Sequence, residues 1–184
     1  MNEIASPGQL RMSYLRWALF TVPLIVVVGS AMGYLSNSGY QNNWFAILVK
    51  PALTPPGRVF GVVWPILYTM LGLAIAMVLN ARRARGRGIA ITLFSLHMLL
   101  NFAWSPVFFR LHQVWPAFWI IAAMLVSAIV ITVLFARIRK AAAWLLVPYM
   151  VWLGFAAMLN LTIALDNPDA ATLHTPAAST QIDL

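Results

Sequence analysis

An imidazole, an amide and an indole follow one another at helical spacing inside an otherwise apolar stretch of this chain. His97, Asn101 and Trp104 recur every three or four residues, which places them on one face of a helix. A histidine and an amide on such a face can hydrogen-bond to each other or to a facing helix. The histidine could instead ligate a haem iron, although the sequence shows no second ligand. Either chemistry requires a helix that is buried against others.

Aromatic residues form two further rows at helical spacing. One row consists of Phe60, Trp64 and Tyr68, and the other of Tyr149, Trp152, Ala156 and Asn160, with Phe155 beside it. Tryptophans near the ends of apolar runs are typical of the membrane–water interface, but Trp64, Trp104 and Trp152 lie further inside. Several indoles together make a flat wall on which a ligand can stack. The rows predict either a cavity for a flat apolar ligand or ordinary helix packing.

The composition places these rows in a membrane. Hydrophobic residues make up 62% of the 184 residues and charged residues 9%, and the mean hydropathy is +0.84. A water-soluble domain of this length needs a more highly charged surface. Five apolar runs reach the length of about 20 residues that a helix needs to cross the bilayer; they cover residues 17–35, 59–79, 89–109, 114–136 and 141–165. The sequence therefore predicts an all-α integral membrane protein, a single bundle of five transmembrane helices.

The segments outside the five runs divide the chain further. Residues 1–16 are predicted to be an N-terminal cytoplasmic segment, and the polar residues 166–184 a disordered C-terminal tail. The first run has features of a signal peptide, but its full spanning length favours a retained helix. The loop 36–56 is long for a bundle connection. It is either a lid over a cavity, with Trp44 among its aromatic residues, or a segment lying on the headgroups.

Charge gives an orientation and excludes other functions. Nine of the twelve basic residues fall on the side of the N-terminus, which predicts an N-terminus in the cytoplasm and a C-terminus outside. The excess of arginines therefore belongs to the membrane topology, and no nucleic-acid partner is expected. All four acidic residues lie outside the runs, which argues against a proton-coupled transporter. Without cysteine, thiolate chemistry is excluded, and neither catalytic residues nor a metal site are predicted.

Three stretches of sequence together resemble one known family. They are "WFAILVKPALTPPGRVFGVVWPILY" (44–68), "NFAWSPVFF" (101–109) and "LLVPYMVWLGFAAMLN" (145–160). In this order they resemble the TspO/MBR family, known as translocator protein, peripheral-type benzodiazepine receptor or tryptophan-rich sensory protein. The resemblance runs from about residue 17 to residue 167. It implies a five-helix bundle, commonly a homodimer through the third helix, in a bacterial cell membrane.

The resemblance also implies a ligand and a site. Family ligands are porphyrins and other tetrapyrroles, benzodiazepine-type compounds, and sterols in animal members. No obligatory cofactor is implied; a porphyrin or haem-type tetrapyrrole is the expected ligand. The pocket would open beneath the first loop, with Pro106 bending its helix and Ser105 bonding back along it. The ligand-binding residues predicted from the rows and the resemblance are Trp44, Trp64, Tyr68, His97, Asn101, Trp104, Trp152, Phe155 and Ala156.

Departures from the family pattern bear on the function. Family members usually have tryptophan between the Lys-Pro and the Pro-Pro of the first loop, whereas this chain has Ala52 and Leu53 there. The sterol-recognition motif of animal members is absent, because Leu161 and Leu165 occupy its aromatic and basic positions. We expect a membrane receptor or sensor that binds porphyrin-like molecules in tetrapyrrole or stress regulation. A further possibility is that it also transports them. A light- and oxygen-dependent porphyrin-degrading enzyme and a structural subunit without small-molecule ligand are the alternatives.

Overall fold

Five long helices form the part of the chain that the structure describes. The computed structural model describes the backbone of residues 7–173 and the side chains of residues 12–173. The elements are α1 (Pro7–Leu35), the short α2 (Asn43–Ile47), α3 (Gly57–Asn80), α4 (Arg87–Ser105), α5 (Val114–Ile138) and α6 (Lys140–Asp166). All but α2 are long and apolar enough to cross a membrane. The predicted fold class, a five-helix membrane bundle, is confirmed.

The helices are arranged in a ring. α1 packs mainly on α3, α3 also packs on α6, α6 on α5, α5 on α4, and α4 closes the ring against α1. The α1–α3 contact is close because Gly72 has no side chain: a Cβ atom there would lie 2.7 Å from Cα of Val22. Thr21 adds a hydrogen bond from its hydroxyl to the Gly72 carbonyl at 2.8 Å. Small residues at such crossings let helix backbones approach each other in a membrane.

Burial follows the membrane environment. Large side chains such as Leu71, Phe135 and Tyr149 are fully enclosed in the centre of the bundle. The outward faces carry equally apolar residues: Leu19 is 75% exposed and Val151 70%. Because lipid tails are as apolar as leucine, an outward leucine carries no penalty in a bilayer. The apolar exterior therefore agrees with five membrane spans.

The chain changes helical geometry where Pro106 follows α4. Residues Pro106–Arg110 form a π-helical turn, in which the amide of Leu111 donates to the carbonyl of Pro106 at 3.0 Å. This widened turn leaves Phe108 and Phe109 both buried. π-turns within helices often occur at functional sites. The bend predicted at Pro106 thus takes the form of a widened helical turn.

The ends of the bundle differ from the predicted segments. α1 already begins at Pro7, within the predicted N-terminal segment. At the other end, α6 continues through Asp166, and residues Ala170–Thr172 form a 3₁₀ turn. Residues 166–173 of the predicted disordered tail are therefore ordered, because Asn167 and Ala170 hydrogen-bond to the loop 36–56. Residues 174–184 of that tail lie outside the described residues.

Candidate ligand-binding site

A cavity of about 380 Å³ lies inside the bundle, beneath the loop 36–56. It is bounded by the C-terminal half of α1, the N-terminal half of α3, the end of α4 with its π-turn, and the C-terminal half of α6. These four ends meet on one side of the membrane because neighbouring spans alternate in direction. We call this space the bundle cavity. The sequence-predicted residues on its lining are Trp64, Tyr68, Asn101, Trp104 and Ala156.

One wall of the bundle cavity comes from α3. Trp64 and Tyr68 are one helical turn apart and both line the space, with ring centroids 5.3 Å apart. Phe60, one turn earlier, continues the wall towards the loop. The spacing of four residues keeps the three rings on one face of the helix. All three rings of the row predicted from the sequence therefore line the cavity.

A second wall comes from α4 and α6. The Trp104 indole donates its N–H to Asn160 Oδ1 at 3.3 Å, and its ring stacks on Phe108 with centroids 5.2 Å apart. The Asn160 amide also donates to the carbonyl of Val114 at 3.0 Å, which ties α6 to α5. These bonds hold the Trp104 ring in one orientation. Ala156, one turn before Asn160, leaves room between the two walls.

The floor of the bundle cavity is polar. The Tyr68 hydroxyl donates to Asn101 Oδ1 at 3.1 Å, and Asn101 Nδ2 donates to the Tyr149 hydroxyl at 2.9 Å. Asn101 is only 4% exposed and Tyr149 is fully buried. A buried amide is costly unless it is hydrogen-bonded. The floor therefore pairs the polar groups of Asn101 with two tyrosines while keeping Asn101 and Tyr68 on the cavity lining.

The cavity lining is electrically neutral. Among the described residues that line it, none carries an ionisable acidic or basic side chain. The nearby lysine of the loop, Lys50, donates to the carbonyls of Phe45, Ala46 and Leu48 at 2.7–3.0 Å instead. Burial lowers the pKa of Lys50 from its usual value. The ammonium group thus serves to hold the loop in shape.

Comparison with known proteins decides the family. The model of the TspO/MBR family matches residues 14–165. The tryptophan-rich protein TspO of Chlorobaculum tepidum is 32% identical over 154 residues, which cover 82% of this chain and 98% of that protein. The chain belongs to the TspO/MBR family. The human translocator protein is 33% identical, and the match covers 76% of this chain and 84% of that protein. The uncharacterized membrane protein YtaB of Bacillus subtilis is 30% identical, and the match covers 85% of this chain and 94% of that protein.

In this TspO/MBR chain, two predicted site residues lie away from the cavity. Trp44 is 3% exposed, and its indole stacks on the His112 ring with centroids 4.3 Å apart. The indole N–H donates to the carbonyl of Ala170 at 2.8 Å. It fastens the loop to the segment after α6. Burial also lowers the pKa of His112. His97 lies below the floor, where Nε2 is 2.7 Å from the Tyr149 hydroxyl. Both were predicted to bind ligand because a helical face or loop position does not reveal depth.

Two more predicted residues stand behind the α3 wall. The centroid of the Trp152 ring is 6.4 Å from the centroid of Trp64 and 5.6 Å from that of Phe155. Neither Trp152 nor Phe155 is on the cavity lining. Trp152 Nε1 is buried and has no hydrogen-bond partner among the described residues. Trp152 contacts Trp64 from outside the cavity, and Phe155 contacts Trp152. Their contribution to a ligand would therefore pass through the position of Trp64.

Sequence reasoning missed the mouth of this TspO/MBR cavity. Two pairs of glycines, one turn apart, lie on the cavity lining: Gly29 and Gly33 on α1, and Gly57 and Gly61 on α3, of which Gly57 and Gly61 are exposed. A Cβ atom at Gly61 would meet nothing within 4 Å, so the gap there is open. The matching spacing of glycines on two consecutive spans was the available signal.

The loop also supplies a hydroxyl that was not predicted. Ser105 was expected to bond back along its own helix, but its hydroxyl pairs with that of Ser38 in the loop. Tyr40 donates its hydroxyl to the carbonyl of Pro55 at 2.9 Å, which closes the loop on itself. Ser38 and Tyr40 both line the cavity. Residues of the loop thus line the cavity, which is the position that the lid interpretation of the sequence requires, and the loop 36–56 is called the lid below.

Proposed function

We propose that this TspO/MBR protein is a membrane receptor or sensor that binds a flat hydrophobic molecule of the porphyrin-like tetrapyrrole class in the bundle cavity. The observation that supports the proposal is the lining of the cavity, where the aromatic rings of Trp64, Tyr68 and Trp104 surround one space above the polar floor. Binding sites of this kind are concave, mostly apolar and carry few polar groups. Binding is also the first step of transport, so the same site serves a protein that releases its ligand on the other side.

The shape of the cavity supports a flat ligand. Its volume of about 380 Å³ falls in the lower part of the range of about 300–1,000 Å³ that is usual for ligand pockets. Indole and phenol rings stack on flat conjugated molecules with little loss of conformational freedom. A macrocycle with acidic substituents fits if those groups remain at the mouth, because the lining is neutral. Arg58, which follows Gly57 of the mouth, is exposed there.

The mouth supports access from the bilayer. Exposed residues of the lining come from α1 (Ser30 and Tyr34) and from α3 (Gly57 and Gly61), so we infer that the mouth opens sideways between these two helices. A lipophilic molecule concentrates in the hydrocarbon and can enter laterally without crossing the lid. The lid is fastened to the end of α6, as described above. Lateral access therefore requires less movement than opening the lid.

Assembly and orientation complete the proposal. We infer an N-terminus in the cytoplasm and a C-terminus outside, in a bacterial cell membrane, because nine of twelve basic residues lie on the N-terminal side. A homodimer would form through α4, whose outward face carries the exposed residues Ile89, Leu96 and Leu99. These three lie along one stripe of the helix. The apolar stripe supports a helix–helix contact within the bilayer.

Spectral titration of the purified protein with protoporphyrin, in the dark and under light, tests the function. Saturable binding with an unchanged absorption spectrum under illumination supports the receptor. Light-dependent loss of the porphyrin bands in aerobic solution, above that of porphyrin alone, would support the degrading enzyme instead. No saturable binding in either condition would contradict the proposal and favour a structural subunit. A matched sample of Ala156→Phe protein, described below, controls for nonspecific partitioning into detergent.

A further inference from the structure

A chain of hydrogen bonds continues from the cavity floor to the backbone of α5. Beyond Asn101, the Tyr149 hydroxyl lies 2.7 Å from His97 Nε2, and His97 Nδ1 lies 2.8 Å from the hydroxyl of Ser127. That hydroxyl lies 3.0 Å from the carbonyl oxygen of Met124. The chain thus connects α3, α4 and α6 to α5. His97, at 2% exposed, lies at its centre.

The direction of donation along this chain is set at its α5 end. A backbone carbonyl can only accept, so the Ser127 hydroxyl donates to Met124. The oxygen of Ser127 then accepts from Nδ1–H of His97, which leaves Nε2 to accept from the Tyr149 hydroxyl. The Tyr149 oxygen in turn accepts from Nδ2 of Asn101. Every link is satisfied when neutral His97 carries its proton on Nδ1.

This direction determines what the cavity floor offers to a ligand. Because Nδ2 of Asn101 points to Tyr149, Oδ1 of Asn101 faces Tyr68 and accepts a hydrogen bond from its hydroxyl. Tyr68 Oη and the second lone pair of Asn101 Oδ1 remain as two acceptors on the lining, against one remaining N–H of Asn101. The floor is therefore mainly an acceptor surface.

The reverse direction makes one hydrogen bond fewer. If Ser127 donated to His97, the bond to Met124 would be lost, the Asn101 amide would turn over, and the Tyr68 hydroxyl would point its proton into the cavity. A ligand that brings only an acceptor would have to reverse the whole chain to receive that proton. A ligand that brings a donor binds without any rearrangement. Chains of this kind act as a unit, because each bond orients the next.

We propose that Ser127 and His97 are positioning residues that make the cavity floor an acceptor surface, and that the preferred ligand presents an N–H or O–H group to Tyr68 and Asn101. Neither Ser127 nor His97 lines the cavity. The ligand preference rests on the proposed function, since it assumes that a molecule binds in the bundle cavity. The direction of the chain does not, because it is a property of the protein alone.

The first test measures the tautomer of His97 without any ligand. Nitrogen-15 NMR of the full chain in lipid nanodiscs, labelled at its three histidines, distinguishes Nδ1–H from Nε2–H. Loss of a signal in His97→Gln assigns it. The proposal requires the Nδ1–H form in the wild type and an admixture of Nε2–H in Ser127→Ala, where His97 Nδ1–H has lost its acceptor. A wild-type protein with His97 as Nε2–H or as imidazolium would overturn it.

The second test compares two flat ligands of nearly equal shape. Carbazole carries a ring N–H, whereas dibenzofuran carries an oxygen that can only accept. Carbazole should bind the wild type about twofold to tenfold more tightly, the equivalent of one net hydrogen bond. Ser127→Ala should reduce this ratio towards one. Thr132→Val is the matched control: it removes a hydroxyl on the same helix that bonds only to Ala128 and Met150, and should leave the ratio unchanged.

The outcomes separate the two proposals. If neither these compounds nor protoporphyrin binds while His97 is in the Nδ1–H form, the proposed function fails and the direction of the chain stands. Equal affinities for both compounds, or tighter binding of dibenzofuran, would contradict the acceptor floor even if binding in the cavity is proven by Ala156→Phe. A ratio that Ser127→Ala and Thr132→Val reduce equally would show a general loss of packing and would also contradict positioning by Ser127.

Discussion

The side chain of Asn167 forms two hydrogen bonds with the backbone of Val49. The Val49 amide donates to Asn167 Oδ1 at 2.8 Å, and Asn167 Nδ2 donates back to the Val49 carbonyl at 2.8 Å. Asn167 lies just after α6, and Val49 near the end of the lid loop, so this pair closes a distance of more than a hundred residues in sequence. Together with the bond from Trp44 to Ala170, it fastens the lid to the end of the bundle.

Asn167→Ala should loosen the lid. The substitution leaves the amide and carbonyl of Val49 without partners, which costs about 1–3 kcal/mol when such groups are buried and less where water reaches them. Hydrogen exchange at residues 44–49 should accelerate, and the affinity for ligand should fall because the lid must be ordered again. Thr172→Val is the control, since among the described residues its hydroxyl bonds only to the exposed carbonyl of Asp169. Unchanged exchange in Asn167→Ala would show that the pair does not hold the lid.

The glycines of α1 should differ in their tolerance of alanine. A Cβ atom at Gly29 would overlap the ring of Tyr68, whereas at Gly33 the nearest atom would be Ser38 Oγ at 4.0 Å. Gly29→Ala should therefore lower the free energy of unfolding by about 1–3 kcal/mol, the usual cost of overpacking. Gly33→Ala should change it little. Thermal unfolding in detergent, with both variants compared, measures this difference.

The same pair separates packing from association. If Gly29 and Gly33 form a motif for dimerisation through α1, both alanines would weaken the dimer without lowering the stability of the fold. That result would contradict the interpretation of Gly29 as the site that receives the Tyr68 ring.

A dimer through α4 can be trapped by single cysteines, because the chain contains none. Leu99 is 64% exposed on α4 and Leu19 is 75% exposed on α1. Leu99→Cys should crosslink under oxidising conditions in native membranes, because outward residues of α4 would meet their copies across a twofold axis. Leu19→Cys is the control for random collisions. Crosslinking of Leu19→Cys alone would place the interface on α1.

Orientation is tested by reporters at the C-terminus. The distribution of basic residues predicts that an enzyme active only outside the cytoplasm will be active when fused after residue 184. A reporter active only inside serves as the reciprocal fusion. Activity of the cytoplasmic reporter alone would reverse the assignment and place the lid and the cavity mouth on the cytoplasmic side.

The sequence predicted the membrane part of the fold well because apolar runs between charged or proline-containing segments are a strong signal. The second run, 59–79, matches α3 (Gly57–Asn80), and the fifth, 141–165, matches α6 (Lys140–Asp166). The start of α1 at Pro7 was missed because the helix begins before the apolar run, with first turns that are more polar than the run itself. The ordered segment after α6 was missed because its order comes from bonds to a distant loop.

The candidate site was partly predictable for a related reason. Periodicity identifies the face of a helix, and it correctly grouped Trp64 with Tyr68 and Asn101 with Trp104. It does not give the depth of a residue on that face. His97 shares the face of Asn101 yet lies one turn below the floor, and Trp44 lies in a loop whose partners are set only by the folded chain.

The most direct test of the central claim fills the cavity. Ala156 lines the space between the two aromatic walls, and Ala141 lies exposed near the start of the same helix. Ala156→Phe places a ring where the ligand is expected, and Ala141→Phe adds the same ring towards lipid or headgroups. Binding of protoporphyrin to each purified variant is measured by titration of tryptophan fluorescence, after circular dichroism has shown that both are folded. We expect at least about a tenfold loss of affinity for Ala156→Phe, equivalent to about 1.4 kcal/mol, and wild-type affinity for Ala141→Phe. Unchanged affinity in folded Ala156→Phe would show that the ligand binds elsewhere.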